Sequence, residues 1–121
     1  MEKVVIENYD QCLKCLEELE TKLSNLLKAV SRVIDGQHED MKTVQKSLRE
    51  LKKHINSEVR EVKRAPNPIE DAFYLPALIE AGSKLEVRCN SLVSEEWERN
   101  VFDAYGSVSF YLENFRGCLV R

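Results

Sequence analysis

The stretch that decides the fold is residues 5–33, VIENYDQCLKCLEELETKLSNLLKAVSRV. Its apolar side chains recur at alternating spacings of four and three, the a/d pattern of a coiled coil or a tightly packed helical bundle. A stripe this narrow is typical of a helix that meets another helix edge-on, so the pattern favours contact with protein. We predict that this seam mediates self-association through Tyr9, Cys12, Leu16, Leu19, Leu23, Leu26, Val30 and Val33.

The same stretch predicts a first helix over residues 8–34. Leu13, Leu27 and Ile34 lie at e positions and widen the apolar stripe. A strict a/d seam serves two helices, whereas burial of a, d and e positions serves a bundle of three or four helices. The widened stripe therefore indicates a helical bundle.

Residues 35–40, DGQHED, form the first break in the apolar pattern. Gly36 suits the left-handed position after a helix, and Asp40 can cap the next helix. One continuous helix is the alternative, because the apolar register crosses this segment with a single stutter that a coiled coil tolerates. The polar composition favours a hairpin, with a second helix over 41–63 and heptad helices filling residues 1–64.

Two prolines, Pro66 and Pro68, end the second helix, because neither fits inside a straight helix at this spacing. Asn67 as N-cap and Pro68 in the first turn predict a helical restart. Beyond it, apolar stripes predict a third helix over 76–93 and a fourth over 95–119.

The predicted fold class is therefore all-α. An antiparallel helical hairpin with coiled-coil heptads is followed by a C-terminal aromatic-rich helix pair, residues 65–121. We expect this pair to pack with the hairpin as one structural domain that resembles a four-helix bundle.

Aromatic residues are concentrated in the C-terminal half, where eight of the nine follow residue 72. Trp97 begins the last apolar stripe and is predicted to lie in the core. Phe102 and Phe110 lie off that stripe, so they either cover the core from the flanks or form an exposed patch. Since interface hot spots are enriched in aromatic residues, we predict a site for a protein partner at Tyr74, Phe102, Tyr105 and Phe110.

The composition places the chain among soluble globular proteins. Its 121 residues, 43% of them apolar and 32% charged, suit one domain and are too apolar for disorder. No run approaches the roughly 18 apolar residues that a membrane span needs. We therefore expect protein partners in a homo-oligomer or a hetero-complex and no membrane contact.

The net charge of −3 is distributed unevenly. Residues 42–64 carry eight basic and three acidic side chains, whereas the segments on either side are each net negative. The basic middle either pairs with its acidic neighbours or forms an anion-binding face. In the second case the contacting residues are predicted to be Lys46, Arg49, Lys53 and Arg60.

Cys12 and Cys15 have the C-x-x-C spacing of redox and metal sites. Both lie inside the heptad stretch, beside Asp10, Glu17 and Glu18, which would oppose a thiolate. A zinc site would need a second close pair, which the sequence lacks. We interpret the cysteines as buried apolar residues of an intracellular protein in a reducing compartment, and we predict no metal and no cofactor.

Arg49 and His54 form an R-x4-H pattern that resembles the motif of HEPN domains, a class of small helical ribonucleases. The resemblance implies RNA cleavage by these two residues on a helical scaffold. The pattern is also typical of a solvated basic face, and residues five apart on a straight helix point about 140° away from each other.

The sequence thus predicts a non-enzymatic protein-protein interaction or assembly module that acts through helical seams as a subunit of a larger complex. The alternative is a nucleic-acid-associated small helical protein, with a HEPN-like ribonuclease as its catalytic version.

Overall fold

A computed structural model describes residues 6–36, 40–64 and 74–118, with the side chains of 11–36, 40–64 and 74–117. These residues form an all-α fold without a strand in the described ranges. The helices are α1 (Ile6–Ile34), α2 (Met41–Arg64), α3 (Leu75–Lys84) and α4 (Glu95–Cys118). None of the described helices is both long and apolar enough to cross a membrane.

The turn between α1 and α2 confirms the predicted hairpin. Gly36 has φ +76°, the left-handed conformation that favours glycine, and it follows the last turn of α1. Asp40 caps α2, because its carboxylate accepts hydrogen bonds from the Lys42 amide at 3.0 Å and the Thr43 hydroxyl at 3.1 Å. The continuous-helix alternative is therefore wrong.

The predicted restart at Asn67 and Pro68 lies outside the described residues. On the far side, the predicted third helix is too long, because α3 ends at Lys84 and residues 85–94 are not helical. Val87 and Val93 are both buried, and their six-residue separation would place them on different faces of a continuing helix. The burial of both valines accounts for the end of α3.

Side chains of α2 and α4 hold residues 85–94 against the bundle. Lys52 Nζ donates to the Val87 carbonyl at 2.7 Å, and Gln45 Nε2 donates to the Ser91 carbonyl at 2.7 Å. The indole N–H of Trp97 donates to Ser91 Oγ at 3.0 Å. Because Trp97 is 1% exposed, the structure confirms its predicted place in the core.

Helices α1 and α4 form the most extensive contact, and the order around the bundle is α1, α4, α3, α2. Three polar contacts show that α1 and α4 run antiparallel. These are Arg116 with Glu17, Ser109 with Glu20 and Ser31 with Glu98, at 2.9, 2.7 and 2.8 Å. The buried stripes of all four helices meet in one apolar cluster. As a result, α2 and α4 lie on opposite corners of the bundle.

Candidate interaction surfaces

The predicted self-association seam lies inside the chain's own core. Helices α4 and α2 pack against α1, so the described seam residues lie in the interior of the folded chain. Six are 0–4% exposed, namely Cys12, Leu16, Leu19, Leu23, Leu26 and Val30. Val33 is partly buried against the same cluster, and the side chain of Tyr9 lies outside the described residues. A heptad stripe serves contacts within and between chains equally well, and here it serves the contact within the chain.

Of the predicted partner patch, the structure exposes two aromatic residues. Phe102 is 58% exposed and Phe110 is 62% exposed, whereas Tyr105 is partly buried against the core. Tyr74 is 3% exposed, so its assignment to the patch is wrong. The Tyr74 hydroxyl donates to Glu58 Oε1 of α2 at 2.9 Å, and this polar partner allows the whole side chain to be buried.

The buried environment of Tyr74 also affects its hydroxyl. Burial, followed by the proximity of Cys15 and Glu58, raises the pKa of Tyr74 far above its usual value near 10. The hydroxyl therefore stays protonated and remains the donor to Glu58. Tyr74 joins α1, α2 and the start of α3, which is a structural role.

The outer face of α4 carries the exposed aromatics in an acidic setting. Phe102 and Phe110 are two turns apart, and Gly106 lies between them. Among the described residues, no other helix comes within 4 Å of the position that a Cβ of residue 106 would take. We call this surface the acidic-aromatic face. Its members are the exposed residues Glu95, Glu96, Phe102, Asp103, Gly106, Phe110 and Glu113.

A recess of about 330 Å³ lies beside Phe102, between α1 and α4. Leu27 and Ser31 of α1 line one side, and Glu98 and Arg99 of α4 line the other. The hydrogen bond from Ser31 Oγ to Glu98 Oε2 crosses between the two helices at this point. The exposed Phe102 ring therefore borders a concavity rather than a flat surface.

The outer face of α2 is uniformly basic. Exposed cations recur at intervals of three, four or seven residues, which keeps them on one side of the helix, opposite its buried stripe. We call this surface the basic stripe. It consists of Lys42, Lys46, Arg49, Lys53, Arg60 and Arg64.

The predicted anion-binding face, Lys46, Arg49, Lys53 and Arg60, belongs to this stripe. Among the described residues, none of these four cations forms an ion pair, so the alternative that the basic middle pairs with acidic neighbours stays a prediction. Arg64 meets Glu61 of the same helix at 3.7 Å, with both side chains largely exposed. The positive charge of α2 thus points away from the bundle.

Arg49 and His54, the pair that resembles the HEPN motif, do not come together within the chain. Arg49 lies on the basic stripe, whereas His54 lines a groove of about 330 Å³ between α1 and α2. Glu50 of α2 and Lys22 of α1 also line this groove. The two residues of the motif therefore belong to different faces of α2.

Cys12 and Cys15 sit where the apolar interpretation places them, with Cys12 buried in the core and Cys15 packed against it near Tyr74. Within the described ranges, no group of three or more His, Cys, Asp or Glu side chains is arranged to hold a metal ion. The redox compartment of the protein stays a prediction.

Comparison with known proteins finds no family model, no curated protein and no solved structure that matches this chain.

Proposed function

We propose that this protein is a non-enzymatic assembly module that binds other protein molecules, further copies of itself included, through the acidic-aromatic face of α4. The observation that carries the proposal is the exposure of Phe102 and Phe110, at 58% and 62%, on a helix whose inner stripe is complete without them. Large aromatic side chains that remain in water mark surfaces that a partner covers.

The core of α4 shows that these two rings are not needed for folding. Trp97, Val101, Val108, Leu112 and Phe115 are each 0–1% exposed and already form the inner stripe. Covering apolar surface contributes about 25 cal/mol per Å² that leaves water, so an interface over Phe102 and Phe110 gains free energy that folding does not use. The surrounding carboxylates supply a polar rim, as in interfaces between separately folded proteins.

Gly106 adds to the suitability of this face for contact. Glycine in an exposed helix interior costs about 0.5–1 kcal/mol relative to alanine, and nothing within the chain packs on this one. The space above Gly106 lets a partner approach the α4 backbone between the two rings. The burial of the α1 seam strengthens the same assignment, because association of the folded chain has to use a different surface.

Sedimentation velocity across a wide range of protein concentration tests the proposal. We expect a mass that rises above the 14.0 kDa of one chain, and we expect Phe102→Ser/Phe110→Ser to move this rise to much higher concentration. Leu92→Ser is the matched control, because Leu92 is 75% exposed but lies outside α4. A native chain that stays monomeric throughout would contradict the self-association in the proposal, and equal losses in both variants would contradict its assignment to α4.

Nucleic-acid contact is the second candidate function, and the basic stripe is the observation that favours it. Six phosphate contacts would make the logarithm of the binding constant fall with the logarithm of salt concentration at a slope of about −5. The candidate ranks second because the net charge of the chain is −3 and no aromatic residue lies within the stripe to stack on bases. The separation of Arg49 from His54 supports contact without cleavage.

The catalytic version of this second candidate has its own test. Incubation of the purified chain with single-stranded RNA, beside Arg49→Ala and His54→Ala variants, should show no cleavage that depends on either residue. Cleavage that both substitutions abolish would replace the assembly proposal with a ribonuclease.

A further inference from the structure

We infer that the basic stripe of α2 in one copy docks on the acidic-aromatic face of α4 in a second copy. This inference rests on the proposed function and names the partner surface. Both surfaces belong to 24-residue helices, and they lie on opposite corners of the bundle. One chain therefore carries both halves of the contact but cannot bring them together by itself.

The lengths of the two surfaces match. The basic stripe extends from Lys42 to Arg64, which is about 33 Å of helix. The acidic side chains of α4 extend from Glu95 to Glu113, which is about 27 Å. Two helices of these dimensions can lie side by side along most of their length.

Their charges are complementary, and most of those charges are not satisfied within the chain. Among the described residues, the ion pairs of the two surfaces are Arg64 with Glu61 and Glu113 with Arg116, each three residues apart on one helix. On α4, Arg99 is the one base among the exposed acids of the face. Opposite potentials on two surfaces speed their encounter and fix their orientation.

The aromatic residues supply the apolar part of the contact. A guanidinium group lying over a phenyl ring within about 6 Å is attracted to the ring face, and the stripe offers Arg49 and Arg60 for Phe102 and Phe110. Lysine stems cover apolar surface while the ammonium group stays in water. The cations of α2 therefore suit a face that mixes carboxylates with exposed rings better than a purely aliphatic surface would.

The position of the two surfaces on each copy determines the type of assembly that forms. Because each copy contributes a different surface, the contact is heterologous, and every docked copy leaves one stripe and one face open. Growth then continues beyond a dimer until a ring closes or a filament forms. A concentration-dependent series of species larger than two chains is the expected solution behaviour.

Charge reversal on each surface provides the test. The stripe variant is Lys46→Glu/Lys53→Glu, and the face variant is Glu96→Lys/Asp103→Lys. All four residues are exposed, so circular dichroism should show native helicity. Glu96→Lys places a cation in the first turn of α4, so thermal melting should show a loss of stability of no more than about 1 kcal/mol in the face variant. Each variant alone places like charges opposite each other at its two reversed positions, and we expect its self-association to weaken by at least about tenfold.

Mixing the two variants is the decisive step. The glutamates introduced on α2 of the stripe variant then meet the lysines introduced on α4 of the face variant. The unchanged α4 face of the first variant meets the unchanged basic stripe of the second. An equimolar mixture should therefore regain assembly that neither variant shows alone. Lys14→Glu/Lys28→Glu is the control for the stripe variant. It lowers the net charge by the same amount at exposed positions of α1, and it should assemble like the native chain.

Three other outcomes would overturn the inference. If the stripe variant assembles normally while Phe102→Ser/Phe110→Ser does not, α4 is an interface but α2 is not its counterpart, and the proposed function survives. A native chain that never associates removes the self-association of the proposed function together with the inference. A monomer that binds a 24-base-pair DNA duplex with steep salt dependence, lost in the stripe variant, would assign the stripe to nucleic acid.

Discussion

The helices α2 and α4 are equal in length, at 24 residues, and each buries one apolar stripe in the same core. Their outer faces differ in chemistry: α2 presents a row of cations, and α4 presents carboxylates around two exposed phenylalanine rings. The inner faces determine the fold, and both are apolar. The outer faces do not contribute to the core, and the proposed binding surfaces lie on them.

The largest expected effect concerns the inner faces, which should respond alike. Leu48→Ala in α2 and Leu112→Ala in α4 each truncate a side chain that is 0% exposed. Each should lower the free energy of unfolding by about 2–5 kcal/mol, because apolar contacts are lost and a cavity is left. Urea denaturation at neutral pH measures both losses.

Exposed arginines on the same helices provide the matched controls. Arg49→Ala and Arg99→Ala remove outer-face side chains and should change the free energy of unfolding by no more than about 0.5 kcal/mol. If Leu48→Ala alone lowered the free energy of unfolding by less than about 1 kcal/mol, the prediction would be wrong, since α2 would then lie outside the cooperative core.

Two tyrosines extend the comparison to high pH. The pKa of Tyr74 is raised mainly by burial and then by the nearby Cys15 and Glu58. The pKa of Tyr111 on α4, which is less buried, is raised by desolvation and by Glu80. A pKa that is higher in the folded state gives stability that is present below pH 10 and is lost above it. The buried Tyr74 should account for up to about 1.4 kcal/mol lost per pH unit above pH 10.

Tyr74→Phe should therefore unfold more easily than the native chain at pH 8, by about 1–2 kcal/mol for the lost hydrogen bond to Glu58. Above pH 10 the gap should narrow, because the variant lacks the hydroxyl that must ionise on unfolding. Urea denaturation at pH 8, 10 and 11 measures the gap, with Tyr111→Phe as the less buried control. A gap that is constant across this range would show that Tyr74 ionises in the folded chain.

Much of the fold follows from the apolar pattern. The predicted helices over 8–34, 41–63 and 95–119 agree with α1, α2 and α4 to within two residues, because a buried stripe repeats in sequence as it does in space. The end of α3 at Lys84 could not be predicted in this way. It depends on the burial of Val87 and on contacts from α2 that join residues distant in the sequence.

The candidate surfaces were predictable to a different degree. The basic stripe followed from the spacing of its cations. The place of Phe102 and Phe110 off the last apolar stripe left two alternatives open, coverage of the core or an exposed patch, and the structure exposes both rings. The burial of Tyr74 depended on Glu58, 16 residues away, which no local pattern reveals. The heptads of α1 could not show whether their partner was this chain or another, because both contacts use the same periodicity.

Alanine substitutions at Gly106 and Gly36 should change the stability of the chain by smaller amounts and in opposite directions. Gly106→Ala should stabilise the chain by about 0.5–1 kcal/mol, since the helical backbone accepts a Cβ and nothing obstructs it. Gly36→Ala should destabilise it by about 1–2 kcal/mol, because φ +76° is strained for alanine. Thermal melting measures both changes.

A larger side chain at position 106 also distinguishes an effect on stability from an effect on self-association. Gly106→Gln should melt no lower than the native chain, yet it should weaken the self-association measured by sedimentation velocity. If the variant assembles as well as the native chain, no partner approaches the α4 backbone between the two rings.

The smallest expected effect separates two adjacent lysines of α2. Lys52 Nζ donates to the Val87 carbonyl at 2.7 Å and anchors residues 85–94, whereas Lys53 is exposed on the basic stripe. Lys52→Met should cost about 1 kcal/mol in unfolding free energy, and Lys53→Met less than about 0.5 kcal/mol. Self-association should show the reverse order, because only Lys53 belongs to the proposed interface. If Lys52→Met and Lys53→Met had equal effects in both assays, the outer side of α2 would not serve binding separately from the inner side's role in stability.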